Sequence, residues 1–125
     1  MGETPSQFAM NALASYLHQF YTGCERILER IAVRVDGGRP GGAFSHANLL
    51  AQMAQDLPGV RPAILNEALW LSLQDDLACR HFFRHAYGYT LDWAKLRPLV
   101  MGLSATQSAL QSQLRTFFDI LLRDS

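Results

Sequence analysis

Between Cys79 and Tyr87 the chain reads Cys79-Arg80-His81-Phe82-Phe83-Arg84-His85-Ala86-Tyr87, and no other stretch gathers so many groups able to bind an anion or move a proton. On a helix, with Arg80 set at zero, Tyr87 falls at about −20°, Arg84 at about 40°, His81 at about 100° and His85 at about 140°. Ala78, Phe82, Ala86, Cys79 and Phe83 fill the remaining arc from about 160° to about 300°. The phenylalanines therefore face a core, and two guanidinia, two imidazoles and a phenol share the opposite side. Arginine presents a planar, permanently charged fork that matches phosphate oxygens, and histidine exchanges a proton near neutral pH. Cutting RNA without a metal asks for those parts: a base for the 2′-hydroxyl proton, an acid for the leaving 5′-oxygen, and a cation for the charge that grows on phosphorus. One copy of the segment has few groups to spare for two proton transfers. Two copies facing each other across a symmetric dimer supply both.

Plainer readings of the same residues stand beside this one. Basic side chains near a helix C-terminus are favoured by the helix dipole, which is enough to account for Arg84 and His85. His81 and His85 are four apart, a chelating spacing, but a metal site needs a third ligand and this arc offers neither acid nor cysteine. His18 and His46 lie elsewhere in the chain. Neither a metal nor a cofactor is therefore expected. Tyr87 alone reads as a half-buried aromatic with its hydroxyl in water.

The elements that must position the arc are helical from end to end. Thr4, Pro5 and Gln7 fit an N-cap, a first-turn proline and a capping-box partner. Leu13, Leu17, Phe20, Cys24, Ile27, Ile31 and Val35 recur at spacings of three and four, which lays one apolar stripe along a long first helix. The run from Asp36 to Gly42 breaks it. With no strand before it and no Gly-Lys-Ser/Thr after it, that run reads as a connector rather than a phosphate loop. Ser45 is expected to cap a short helix carrying Leu49, Leu50 and Met53, and Pro58, Gly59 and Pro62 close it. Asn66 then caps a third helix running to about Tyr87, with Gly88 as its stop. Asp92 is expected to cap a fourth, which Pro98 kinks or interrupts. Ser104 and Gln107 mark the start of a last helix bearing Leu110, Leu114, Phe117, Phe118, Leu121 and Leu122. The pattern predicts an all-α, antiparallel up-and-down bundle of four to five helices, forming a single domain over residues 1–125.

Composition narrows the partners. The chain has 125 residues, 49% hydrophobic and 18% charged, with 11 basic against 11 acidic side chains. That balance excludes disorder and also excludes polybasic nucleic-acid binding, which needs an excess of Lys and Arg. No apolar run is long enough to span a bilayer, and the N-terminus has no basic-then-apolar leader, so no membrane partner is expected. Two cysteines, Cys24 and Cys79, in apolar helical settings make a disulfide framework unexpected, and the compartment reads as cytoplasmic.

Arg80-x4-His85-x-Tyr87 resembles the Arg-x4-His-x-Tyr signature of HepT-like toxins, a branch of the HEPN superfamily. The segments around Phe20-Tyr21-Thr22-Gly23, Glu25-Arg26-Ile27-Leu28, Pro58-Gly59-Val60-Arg61-Pro62 and Leu91-Asp92-Trp93 look like HepT-like segments too, so the resemblance covers roughly residues 16 to 100. It implies an all-α bundle that dimerises and acts as a metal-independent endoribonuclease, the toxin of a HEPN/MNT-type toxin–antitoxin pair. By the same resemblance, Arg80 would stabilise the scissile phosphate and His85 would handle the proton. Tyr87 would be the residue that a cognate nucleotidyltransferase antitoxin modifies with AMP. Arg84 and His81 stand outside the signature and are expected to support phosphate binding. A non-catalytic module that docks a nucleotidyltransferase is the alternative.

Overall fold

Ser6 starts the first helix, its Oγ accepting a hydrogen bond from Ala9 N at 3.1 Å. The expected Thr4–Gln7 cap is thus displaced by two residues, and Pro5 precedes the cap instead of following it. The computed structural model describes residues 4–85 and 92–123, with residues 79–85 described by their backbone alone. Four α-helices follow in order: α1 (Gln7–Ile31), α2 (Ser45–Met53), α3 (Glu67–His85) and α4 (Trp93–Arg123). Among the described residues there is no strand, and the chain is an all-α bundle as the periodicity predicts.

α1 buries Met10, Ala14, Leu17, Tyr21, Cys24, Leu28 and Ile31, an alternation of four and three that keeps one seam inward over about six turns. This seam is rotated slightly from the expected stripe. Leu28 is fully buried, whereas Ile27 is 39% exposed and faces outward. The helix then widens into a π-turn over Ala32–Asp36, which Gly37 ends at φ 94°, a left-handed conformation suited to glycine. Asp36 therefore belongs to the helix end rather than to the connector.

Phe44, not Ser45, occupies the cap position of α2, and no side chain caps it. Leu49, Leu50 and Met53 are buried as expected. The following turn has Pro58 and then Gly59 at φ 80°, with Val60 N donating to Leu57 O at 2.9 Å, the residue pattern that a type II turn requires. It turns Arg61 back into the protein. Arg61 Nε and Nη2 meet the Asp36 carboxylate at 2.6 and 2.7 Å, and its Nη1 and Nη2 also reach the backbone oxygens of Gln55, Pro62 and Gln52. Gln52 Nε2 donates to Asp36 as well, at 2.8 Å. One guanidinium thus ties together the ends of α1 and α2 and the approach to α3.

α3 begins where the sequence places it: Asn66 Oδ1 accepts from Leu69 N at 2.9 Å. Gln113 of α4 accepts from Asn66 N at 2.8 Å, fixing the start of α3 beside the later part of α4. The larger core cluster joins Tyr21, Cys24, Leu28 and Ile31 of α1, Ala32 of the π-turn, Leu49, Leu50 and Met53 of α2, Leu65, Leu69 and Leu73, and Leu110, Leu114 and Phe117 of α4. A smaller cluster joins Met10, Ala14 and Leu17 to Leu96. α1 and α4 therefore run in the same direction and α3 runs against both. That direction carries the last turns of α3 away from the larger cluster, toward the end where α1 begins.

α4 departs from expectation in being a single helix of 31 residues, continuous through Pro98 and Gly102. Proline removes one backbone donor, but Leu96, Leu99, Val100 and Leu103 all pack on the smaller cluster and hold the helix on both sides of the lesion. No new cap forms at Ser104. At its far end Phe117 is buried, whereas Phe118, Leu121 and Leu122 are exposed.

Candidate functional site

α3 is helical without a break through His85, which is the condition the proposed arc requires. Arg80, His81, Arg84 and His85 all lie on that helical backbone, in its last two turns. Tyr87 and the expected stop at Gly88 lie outside the described residues. Asp92 does cap α4, accepting from Ala94 N at 3.0 Å, so both helices flanking the motif begin on an Asn or Asp side chain as read.

Just below the motif, the α1–α3 contact contains polar groups that the sequence reading did not single out. Asp76 is 5% exposed, and its Oδ2 has no hydrogen-bond partner among the described residues. Burial, reinforced by the charge of neighbouring Asp75, pushes its carboxyl from its ordinary value near 3.8 up to about 7. Across the contact, burial and the Asp76 charge together raise the Cys24 thiol to about 12, so this cysteine is not a nucleophile at neutral pH. One α1 turn earlier lies buried Tyr21. Beside Cys24, Glu25 is 7% exposed and meets His46 Nδ1 of α2 at 2.7 Å. The signal for Asp76 was present in the sequence. It precedes Arg80 by four residues and falls at about −40° on the same wheel, at the edge of the basic arc.

Asp76 has a consequence for stability. The folded protein holds the Asp76 proton more tightly than the unfolded chain does, so stability falls as pH rises from about 4 through about 7. Asp76→Asn keeps the shape and removes the charge. Urea unfolding of this variant is expected to show a higher midpoint than wild type at pH 8, with the gap closing as pH is lowered toward 4. Equal midpoints at pH 8 contradict the burial of an ionised carboxyl.

Two surface clefts lie at the other end of the bundle, lined by the 56–66 segment together with Phe117 and Ile120, far along α3 from the motif. Among the described residues no three His, Cys, Asp or Glu side chains gather as a metal site, and no helix is long and apolar enough to cross a membrane.

Among the described residues the chain is a bundle without strands, and its third helix carries Arg80-x4-His85. A family model described as HepT-like protein matches residues 12–121, nearly the whole chain, and the protein belongs to the HepT-like family of toxin-like proteins. No curated protein and no solved structure matches the chain.

Proposed function

We propose that this protein is the toxin of a HEPN/MNT-type toxin–antitoxin pair, a metal-independent endoribonuclease acting on cellular RNA in the cytoplasm. The observation that carries this reading is the intact Arg80-x4-His85-x-Tyr87 signature, whose Arg80 and His85 lie on the backbone of α3, in a chain whose family match spans residues 12–121. In the reaction, a base removes the 2′-hydroxyl proton, and the 2′-oxygen bonds to phosphorus as the bond to the 5′-oxygen breaks. The products are a 2′,3′-cyclic phosphate and a 5′-hydroxyl, the latter having taken up a proton from the acid. His85 handles the proton, Arg80 offsets the charge on the phosphoryl oxygens, and Arg84 and His81 add contacts to neighbouring phosphates. The homodimer brings two such sets to one cleft, which provides one imidazole as base and another as acid.

Neutralisation acts at Tyr87. A cognate MNT-domain nucleotidyltransferase transfers AMP to its phenolic oxygen, placing bulk and negative charge beside the cationic groups and repelling an RNA backbone. Intact mass after co-expression with the adjacent nucleotidyltransferase is expected to show added AMP units, absent in Tyr87→Phe. A mass shift that persists in Tyr87→Phe moves the modification to another residue. Expression without the nucleotidyltransferase separates this reading from a docking module: growth arrest supports the toxin, and unimpaired growth with a tight heterocomplex supports the module.

A further inference from the structure

The charges of the chain cancel overall, so a polyanion can be held only where acids and bases are segregated locally. The end of the first helix does this. From Glu25 to Asp36 it carries three acids and three arginines, and each acid is taken by a cation from elsewhere in the chain. Glu25 is buried and meets His46 of α2, Glu29 pairs with Arg39, and the Asp36 carboxylate holds Arg61. Arg26, Arg30 and Arg34 are left exposed, and none has an ion-pair or hydrogen-bond partner among the described residues.

The three arginines form one row. With Arg26 at zero on the helix wheel, Arg30 falls at about 40°, while the buried Leu17, Cys24, Leu28 and Ile31 lie between about 140° and about 200°. The row therefore runs opposite the core seam. A further α-helical step would carry Arg34 on by another ~40°. The π-turn over Ala32–Asp36, whose hydrogen bonds reach one residue further, turns less per residue and keeps Arg34 nearer the line. Each step of four residues rises about 6 Å, close to the separation of successive phosphates along an extended single strand. Such a row costs the helix, because like charges four apart repel and the favourable field of the helix C-terminus does not reach Arg26. A second copy of this chain offers no matching acidic row: the exposed acids of α3 and α4, Glu67, Asp75 and Asp119, stand singly.

We propose that Arg26, Arg30 and Arg34 bind successive phosphates of a single-stranded RNA, as a row along α1 separate from the Arg80–Tyr87 motif. Guanidinium forks match phosphate oxygens, and a line of them tracks a backbone without reading its bases. α1 and α3 run in opposite directions and Cys24 faces Asp76, so along the bundle axis Arg26 lies about 9 Å from the level of the Arg80 backbone. RNA on the row thus runs along the bundle toward the level of the motif. The identity of the polyanion rests on the ribonuclease reading.

The test is fluorescence anisotropy of the full-length protein with a labelled 2′-O-methyl RNA oligonucleotide, whose blocked 2′-oxygen prevents cleavage, over a series of salt concentrations. Each phosphate contact on a single strand contributes about −0.7 to the slope of log affinity against log salt, so Arg26→Ala/Arg30→Ala/Arg34→Ala is expected to flatten the slope by about 2. Between about 50 and about 200 mM salt, wild type is then expected to lose about 20-fold more affinity than the variant. Each single alanine variant is expected to flatten the slope by about 0.7, and the triple lysine variant to keep it. Alanine favours the helix and removes the repulsions, so the triple alanine variant is expected to melt no lower than wild type.

A wild type that does not bind RNA, or an unchanged slope in the alanine variants, overturns the proposal. An equal flattening in Arg115→Ala/Arg123→Ala, which removes exposed cations of α4, also overturns it. So does a triple alanine variant that binds RNA as wild type does but loses self-association or the nucleotidyltransferase, since the row is then a protein interface. A wild type that cleaves RNA while the slope ignores these arginines defeats the row and leaves the ribonuclease reading intact. A wild type that binds through the row and cuts nothing defeats the ribonuclease reading and leaves the row intact.

Discussion

Arg61→Ala is expected to lose about 3–5 kcal/mol of folding stability, the usual cost of leaving one member of a buried ion pair without the other. The two side chains are 1% and 2% exposed, so water does little to replace the lost partner. The effect reaches further than one charge, because the same guanidinium supplies the donors for three backbone oxygens at Gln52, Gln55 and Pro62. In a domain of this size the loss corresponds to a drop of roughly 10–20 °C in Tm, measurable by circular dichroism. Asp36→Asn, which keeps a hydrogen-bonding oxygen, is expected to cost less. The pair also has a pH signature. Burial alone would raise the Asp36 carboxyl, but the hydrogen bonds from Arg61 and Gln52 and the Arg61 charge outweigh it and hold the carboxyl below its ordinary value near 3.8. The stability from this pair is therefore fully present above that ordinary value. It is lost as pH falls through the lower folded-state value. Acid unfolding of Asp36→Asn is expected to be shallower than that of wild type. A thermal shift of only a degree or two in Arg61→Ala would mean that the knot contributes little.

His85→Ala is expected to reduce RNA cleavage by about 10²–10⁴-fold, the contribution of a positioned general acid or base. The same change is expected to leave helix content and solution mass unchanged, because alanine is the best helix former and His85 lies on the helical backbone of α3. Arg80→Ala should fail differently. It removes the cation and not the proton carrier, so it is expected to raise KM as well as lower kcat. Undiminished cleavage by His85→Ala would remove the histidine from the mechanism.

What was legible in the sequence was mostly local. Asn66 and Asp92 act as caps because an Asx side chain reaches backbone donors two or three residues ahead, a contact fixed by the chain itself. The start of α3 was legible from the Asn66 cap, and the helix is continuous as far as His85. Rotation of the α1 seam from Ile27 to Leu28 was not legible, since both are apolar and only the partners across the core decide between them. Pro98 and Gly102 misled in the same manner: their local cost is outweighed by apolar burial on either side of them. The ties that hold the bundle together are non-local. Asp36 and Arg61 are 25 residues apart, and Asp36 turns inward through a π-turn that carries no residue signature. The burial of Asp76 is set by α1 packing against it with Cys24 facing, which no local pattern reports. Its four-residue offset from Arg80 was visible, but offset alone does not report burial.

The most direct test of the account is incubation of the purified full-length protein with RNA in excess chelator, with the ends of the fragments identified. The account predicts cleavage that is insensitive to the chelator, fragments ending in 2′,3′-cyclic phosphate and beginning with 5′-hydroxyl, and none of this from His85→Ala prepared in parallel. Intact RNA, or cleavage that stops when divalent ions are removed, would contradict it.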